Sequence, residues 1–442
     1  MRFGHDTMMT LLVRGASTLL GIVFSIITVR LLGAEGRGIL TLVFLIPSVG
    51  VTLAGFGLGS ANVYFLNRGG VARETLFANS VVAALGFSIL SITLFWAGWQ
   101  WFGPRVLPGV TPVLALMGLT VIPLALLNGH ILSLLQGAQR FLRMNLLILS
   151  AQVIALVTLV VALGVFHAGV GGAALAQLLA AVLALGLTVY MFMGPGDRFK
   201  SLRPNLDVFR RSLSYGLREH VSNIAMLLSY RIDIFFIAAM AGARAVGLYA
   251  VAVMVAELFL YLPRAVSTVL VPRVANGSVR DGANNVARTA RVVSVIVGAC
   301  VLVVGAIALP LVRLVFSSEF SEAAPALVAL LPGIYALSIS RVLSAYFTGT
   351  LGQPGLSAKA ATVALGLNLP LNLLLIPSYG ITGAAVASSV AYGAHFLISL
   401  WMFCSRSGYA PRTVLVPCGA DLDWIVAWLR EARPVRWRVS PV

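Results

Sequence analysis

The sequence predicts an all-α polytopic membrane protein of about twelve transmembrane helices, arranged as two six-helix lobes of the same orientation. Three observations predict it. Of 442 residues, 59% are hydrophobic and 10% charged, where a soluble domain carries about 25% charged residues. Twelve stretches are long and apolar enough to cross a hydrocarbon core, which takes about 20 helical residues. Two short glycine-rich motifs recur in the second half of the chain at nearly equal offsets.

The first six spans are expected near 8–30, 38–66, 76–102, 110–136, 144–166 and 169–193. The second six are expected near 212–241, 245–272, 291–316, 323–350, 358–377 and 380–404. Proline and glycine inside several of them are compatible with membrane helices, which tolerate both better than soluble ones do. The Gly33–Gly38 segment, echoed at Gly242–Gly247, reads as a tight turn between consecutive spans, and its small residues also suit close approach of membrane helices. The longer connections, 194–211 and 273–290, read as loops. The organisation is thus an N-terminal lobe at 1–205, a C-terminal lobe at 206–404 and a basic tail at 405–442. That tail reads either as an interfacial amphipathic helix, with arginines among Trp424, Trp428 and Trp437, or as a disordered segment.

The net charge of +17 sits mostly in arginines of alternate connections, a topology signal rather than a nucleic-acid footprint. Arg68, Arg73, Arg140, Arg143, the 194–211 and 273–290 connections, Lys359 and the tail fall on one side. Arg37, Arg105 and Arg244 fall on the other. Both termini are therefore expected in the cytoplasm. The N-terminus lacks the features of a cleavable signal, because its apolar run is too long and holds Arg14. Cys300, Cys404 and Cys418 form neither a disulfide framework nor a metal site. Lys200 and Lys359 lie outside any phosphate-loop motif.

The repeat defines the architecture. Gly33-Ala34-x-x-x-Gly38 matches Gly242-Ala243-x-x-x-Gly247, 209 positions later. Gly169-Val170-Gly171-Gly172-Ala173-Ala174 matches Gly380-Ile381-Thr382-Gly383-Ala384-Ala385, 211 positions later. Both matches come after odd-numbered spans. Six spans per repeat give halves of equal orientation, related by an axis along the membrane normal. A pathway between two such halves is the functional expectation.

Charges inside spans narrow it further, since each costs about 2.5–3.5 kcal/mol at mid-bilayer on insertion scales. Span 1 carries Arg14, Thr18, Gly21, Ser25 and Thr28 at helical spacing. Span 7 carries Arg218, Glu219, His220, Arg231 and Asp233, and span 8 carries Glu257, Tyr261, Arg264 and Thr268 on one face. Span 10 carries Arg341. Arg14, Arg218, Arg264 and Arg341 all lie roughly 9–14 Å below the cytoplasmic surface by helical rise. They either line one anion-binding vestibule, where a planar guanidinium suits phosphate, or reach to headgroups. Arg264 has the further option of pairing with Glu257. Asp233, Glu257, Glu219 and His220 are candidates for coupling or gating. Asp233 equally suits a structural pair with Arg231, and His130, His220 and His395 suit helix packing.

Leu31-Leu32-Gly33-x-x-Gly36-x-Gly38, Tyr230-Arg231-Ile232-Asp233, Gly247-Leu248-Tyr249 and Gly380-Ile381-x-Gly383-Ala384-Ala385 resemble the polysaccharide-biosynthesis flippases. That group includes the O-antigen flippases of lipopolysaccharide assembly, within the multidrug/oligosaccharidyl-lipid/polysaccharide exporter superfamily. The resemblance covers about residues 8–404. It implies a V-shaped, MATE-like transporter of the bacterial cytoplasmic membrane, working by alternating access. Its substrate would be an undecaprenyl-diphosphate-linked oligosaccharide. It implies no cofactor, with coupling to H+ or Na+ as an option. Partners would be membrane lipids and other glycan-assembly membrane proteins, with no nucleic acid, for a monomeric transporter. Lipid II flippases of the superfamily use arginines on spans 1 and 8, where Arg14 and Arg264 lie. A cation-coupled multidrug extruder of the same fold is the competing expectation; arginines outnumber acids within the spans, which suits anions better. A membrane glycan polymerase or transferase fits less well, because the expected outer loops are too short for a catalytic constellation.

Overall fold

The computed structural model describes residues 2–68, 70–194, 202–275, 278–353 and 355–416. The described residues form helices connected by short turns. They begin with α1 (Arg2–Ala54), α2 (Leu58–Asn67), α3 (Arg73–Val106), α4 (Pro112–Gly137), α5 (Phe141–Val160) and α6 (Gly169–Phe192). The second half continues with α7 (Leu206–Glu257), α8 (Tyr261–Ala275), α9 (Val279–Ala306), α10 (Ala308–Val315), α11 (Ala323–Ala345), α12 (Gly355–Ser407) and α13 (Pro411–Leu415). Nine continuous helical segments among the described residues are long and apolar enough to span a membrane. Three of them are each two helices joined at a glycine outside helical geometry: Gly33 in α1, Gly242 in α7 and Gly380 in α12. Divided there, the nine segments give twelve spans. The protein is an all-α, multi-pass membrane protein.

The corners express the repeat in the backbone. Gly33 and Gly242 have φ of 67° and 82°, and Gly169 and Gly380 have φ of 59° and 54°. All four repeat-equivalent glycines thus sit on the left-handed side, where only a residue without Cβ is unstrained. Gly38 and Gly247 depart from the expected turn role. Both lie inside helix, where their missing side chains serve a contact described below.

Three other expectations change. Residues 279–290 are the first turns of α9 rather than loop, capped by the Ser278 hydroxyl accepting from Asp281 N–H at 3.1 Å. Their buried face is Gly282, Ala283, Val286, Ala287 and Ala290; the arginines between them mask an amphipathic helix as a hydrophilic segment. The second span is broken at Gly55–Gly57, where Phe56 and Gly57 have φ of 44° and 67°. The face expected to run from Glu257 to Thr268 is interrupted by a 3₁₀ turn at Leu258–Leu260. Three residues wound at 3.0 per turn rotate the start of α8 by about 60° relative to a continuous α-helix.

The helices group into two compact units. The first contains residues 1–253, 309–326 and 368–387, and the second contains 254–308, 327–367 and 388–442. One core of the first unit gathers Leu76, Ile131, Leu134, Leu147 and Phe192, and another gathers Leu40, Leu159, Leu163 and Ala173. The core of the second unit includes Val286, Val342, Tyr346, Phe347 and Phe403. It also takes in Val414 of α13, and Arg291 donates to the Thr413 carbonyl. The start of the tail is therefore docked helix; residues 417–442, with Cys418 and the tryptophans, lie outside the described residues.

Candidate functional site

The first unit holds a crossing between the two halves of the chain. The second limb of α1 meets the second limb of α7 at Gly38 and Gly247. A Cβ on Gly38 would overlap the Ala243 carbonyl oxygen, and a Cβ on Gly247 would overlap the Ala34 carbonyl oxygen. Gly38 pairs with Gly247 in the repeat, and Ala34 with Ala243. The contact is therefore its own image under exchange of the halves, so a local pseudo-two-fold axis runs through it. Small residues allow such backbone approach between membrane helices.

Polar groups fasten the same end. Arg30, just before the Gly33 corner, donates from Nε to the Val315 carbonyl at 2.9 Å and from a terminal nitrogen to Leu314 at 2.8 Å. These are carbonyls at the end of α10, which lack helical partners and attract a cation. Glu319 accepts from Ala34 N–H at 2.8 Å, capping the helix that leaves the corner. A Cβ on Gly33 would lie 3.1 Å from that carboxylate. Arg244 pairs with Glu322 at 3.0 Å across the other corner. Arg37 donates to Thr28 Oγ1 at 2.9 Å and Ser25 Oγ at 3.2 Å. The upper part of the polar stripe on span 1 thus holds an arginine of span 2.

Asp233 lies 6% exposed. It accepts from the Tyr249 hydroxyl and from Ile234 N–H. Tyr249 is fully buried. The two sequence motifs of spans 7 and 8 are thereby one structural feature, tied across the Gly242 corner. Tyr249 stands in one of the family-like motifs, but no periodicity pointed to the carboxylate it meets.

His220 is buried and stacks on Phe56, with centroids 5.0 Å apart. Arg14 is exposed on α1. The side chains of Arg218 and Glu219 lie outside the described residues. In the second unit, Arg264 is half-buried with its guanidinium 5.6 Å from the Tyr261 ring centre, and Glu257 is half-buried at the end of α7. Ser267, one turn beyond Arg264, donates to the Arg341 carbonyl at 3.4 Å, placing Arg264 and Arg341 on neighbouring helices. His130 and His395 both sit in hydrogen-bonded packing positions, against the Ser80 carbonyl and the Ser340 hydroxyl.

Two cavities open in the first unit along the broken second span. A polar cavity of about 610 Å³ lies beside α2, the end of α4 and the third turn of α7, with Tyr64, Arg68, Gln136 and Tyr215 in its wall. An apolar groove of about 510 Å³ lies along the preceding limb of α1, with Phe56, Phe87, Phe95, Phe102 and Phe235 in its wall. At the break between them, a Cβ on Gly57 would overlap the Gly216 carbonyl oxygen. Sequence reasoning placed the substrate among the arginines and missed both cavities. The signal for them was the sequence Gly55-Phe56-Gly57-x-Gly59, which marks a break inside a span.

Comparison with known proteins places this architecture. Residues 3–278 match the model of the polysaccharide biosynthesis protein family. The probable low-salt glycan biosynthesis flippase Agl15 of Haloferax volcanii is 28% identical over 253 residues, 54% of this chain and 53% of that protein. An uncharacterized membrane protein of Methanocaldococcus jannaschii, MJ1068, is 30% identical over 91 residues, 21% of this chain and 18% of that protein. The chain thus aligns with about half the length of the first relative and less of the second. Among solved structures, the lipid II flippase MurJ in an inward closed conformation superposes with a TM-score of 0.73 at 14% identity, over 96% of this chain and 93% of that one. An inward-facing multidrug-resistance MATE transporter superposes with a TM-score of 0.70 at 16% identity, over 89% and 94%. At such identities the likeness is one of fold, and the fold is MATE-like. The match to the family model spans more than half of the sequence: the chain belongs to the polysaccharide biosynthesis protein family.

Proposed function

We propose that this protein is a flippase for lipid-linked glycans, carrying a polyprenyl-diphosphate-linked oligosaccharide across the cytoplasmic membrane. The observation that carries the reading is the family match over residues 3–278. The identity with a glycan flippase over 253 residues supports it. In a bacterial membrane the carrier is undecaprenyl diphosphate and the product a surface polysaccharide of the O-antigen kind. The arginine distribution supports a topology with both termini in the cytoplasm.

In this reading the lobes 1–205 and 206–404 move by alternating access. The Gly38–Gly247 crossing, with Arg30 and Glu319 beside it, is the outer gate in its closed state. Arg14, Arg218, Arg264 and Arg341 attract the diphosphate electrostatically. Asp233, Glu257, Glu219 and His220 are the candidates for response to a coupling H+ or Na+. A multidrug extruder gains no support, since the likeness to MATE transporters is one of fold alone.

The test is deletion of the gene. The expected result is a lipid-linked glycan that accumulates in the cytoplasmic leaflet, with surface glycan lost and restored by the wild-type chain. Normal surface glycan without accumulation overturns the reading.

A further inference from the structure

We infer that the polar cavity beside α2 is a head-group subsite, taking the glycan and diphosphate of the substrate; the inference rests on the flippase reading above. The cavity, at about 610 Å³, falls within the range of small-ligand pockets, roughly 300–1,000 Å³. Its wall combines the three elements that carbohydrate phosphates need.

The first is an aromatic platform. Tyr64 of α2 and Tyr215 of α7 stack with centroids 4.4 Å apart and planes at 21°. Rings of this kind present an apolar face to the C–H side of a sugar and a hydroxyl to its polar rim. The second is a set of amides and hydroxyls. Asn67 and Gln136 line the cavity, and among the described residues their side-chain amides have no protein partner. Each offers two donors and an acceptor, a pattern that matches vicinal hydroxyls. Ser133, at the floor, is fixed by a buried network: it donates to the His130 carbonyl at 2.7 Å and accepts from Asn62 at 3.3 Å. The third is a cation. Arg68 lines the cavity with its guanidinium 4.9 Å from the Tyr64 ring centre. Among the described residues it has no carboxylate partner, which leaves its fork for phosphate.

Position supports the assignment. The cavity lies at the ends of α2 and α4 and near the start of α7, the side that the arginine distribution assigns to the cytoplasm. A substrate assembled in the inner leaflet would be loaded there. The apolar groove lies along the preceding part of the same span, from Leu45 to Phe56, with five phenylalanines in its wall. Tyr64 and Tyr215 come from different halves of the repeat.

The test measures binding to the full-length chain in nanodiscs. The probes are geranyl-diphosphate-linked N-acetylglucosamine and geranyl diphosphate without sugar, each with and without competing phosphatidylglycerol. The variants are Gly59→Leu, Gln136→Ala, Arg68→Ala and Tyr215→Ala. Gly59 faces the cavity, and a Cβ there meets only Ser133 at 3.8 Å, so a leucine fills the space. Gln136 is exposed, so its truncation tests the cavity should the leucine fail to fold. The expected result is a loss of affinity of about tenfold or more for the sugar-bearing probe in all four variants. Arg68→Ala should weaken both probes, and Gln136→Ala only the one with sugar. Wild-type affinity in Gly59→Leu and Gln136→Ala, with glycan export intact in cells, overturns the subsite while leaving the flippase reading in place. Equal binding of both probes, abolished by phosphatidylglycerol, overturns it in favour of a lipid headgroup site. Failure of the wild-type chain both to bind and to export overturns the subsite together with the flippase reading.

Discussion

Gly38 and Gly247 are the positions least able to accept a side chain. In each case a Cβ would overlap a backbone carbonyl of the opposing helix, and backbone cannot rotate away as a side-chain tip can. Overpacking costs about 1–3 kcal/mol even where neighbours adjust. Gly38→Val and Gly247→Val are each expected to abolish surface glycan at matched protein levels. Gly86→Ala, where a Cβ meets nothing within 4 Å, should export normally. Equal export by all three would mean that the crossing does not form in the working protein. Asp233 makes a second case. Tyr249→Phe removes the hydroxyl that donates to the buried Asp233 carboxylate, and a hydrogen bond to a charged group contributes about 1.5–3 kcal/mol. The melting temperature in detergent should fall for Tyr249→Phe, and less for Asp233→Asn, which keeps an acceptor and carries no charge. A melting temperature unchanged by Tyr249→Phe would show that the tie adds no stability.

The element that matters most is the short α10 with the turn after it, residues 308–322. Hydropathy reads it as the end of the ninth span. In the structure α9 stops at Ala306, and α10 presents its terminal carbonyls to Arg30 while Glu319 caps the helix after Gly33. Hydrogen bonds to charged groups contribute about 1.5–3 kcal/mol each, and about 1.4 kcal/mol changes an equilibrium tenfold. Arg30→Ala and Glu319→Gln are therefore expected to open this end. The measurement is maleimide labelling of Val246→Cys, a position 1% exposed, in a chain from which Cys300, Cys404 and Cys418 have been replaced. Labelling from outside the cell should rise by about tenfold in Arg30→Ala. The same low labelling with and without both substitutions would show that these bonds do not hold the end closed.

For the whole molecule, the arginine hypothesis and the cavity hypothesis make separable predictions. Arg14→Ala, Arg264→Ala and Arg341→Ala, scored by surface glycan at matched expression, should each lower export if the guanidiniums attract the diphosphate along its path. Full export by all three would assign them to headgroup contact. The pseudo-two-fold was legible in part along the chain: repeat offsets of 209 and 211 positions, plus an even number of spans per half, require it. The sequence could not reveal that the axis passes through Gly38 and Gly247. A glycine at a turn and a glycine at a helix crossing look the same along a chain, and only the approach of a second helix tells them apart.

Composition and spacing alone determined the membrane environment, the twelve spans and the two-fold repeat, because burial in lipid demands long apolar helices and a duplication leaves its glycines at fixed intervals. Charge position alone determined which residues were worth suspecting. What only the tertiary structure decided was partnership. Asp233 meets Tyr249 across a corner, a partner that its neighbours along the helix did not suggest. Arg30 meets carbonyls 284 and 285 positions away. Tyr64 finds Tyr215, and beside them a cavity opens that no local pattern announces. Such contacts depend on how helices cross, and the crossing is set by backbone approach summed over the whole bundle, which no single stretch of sequence contains.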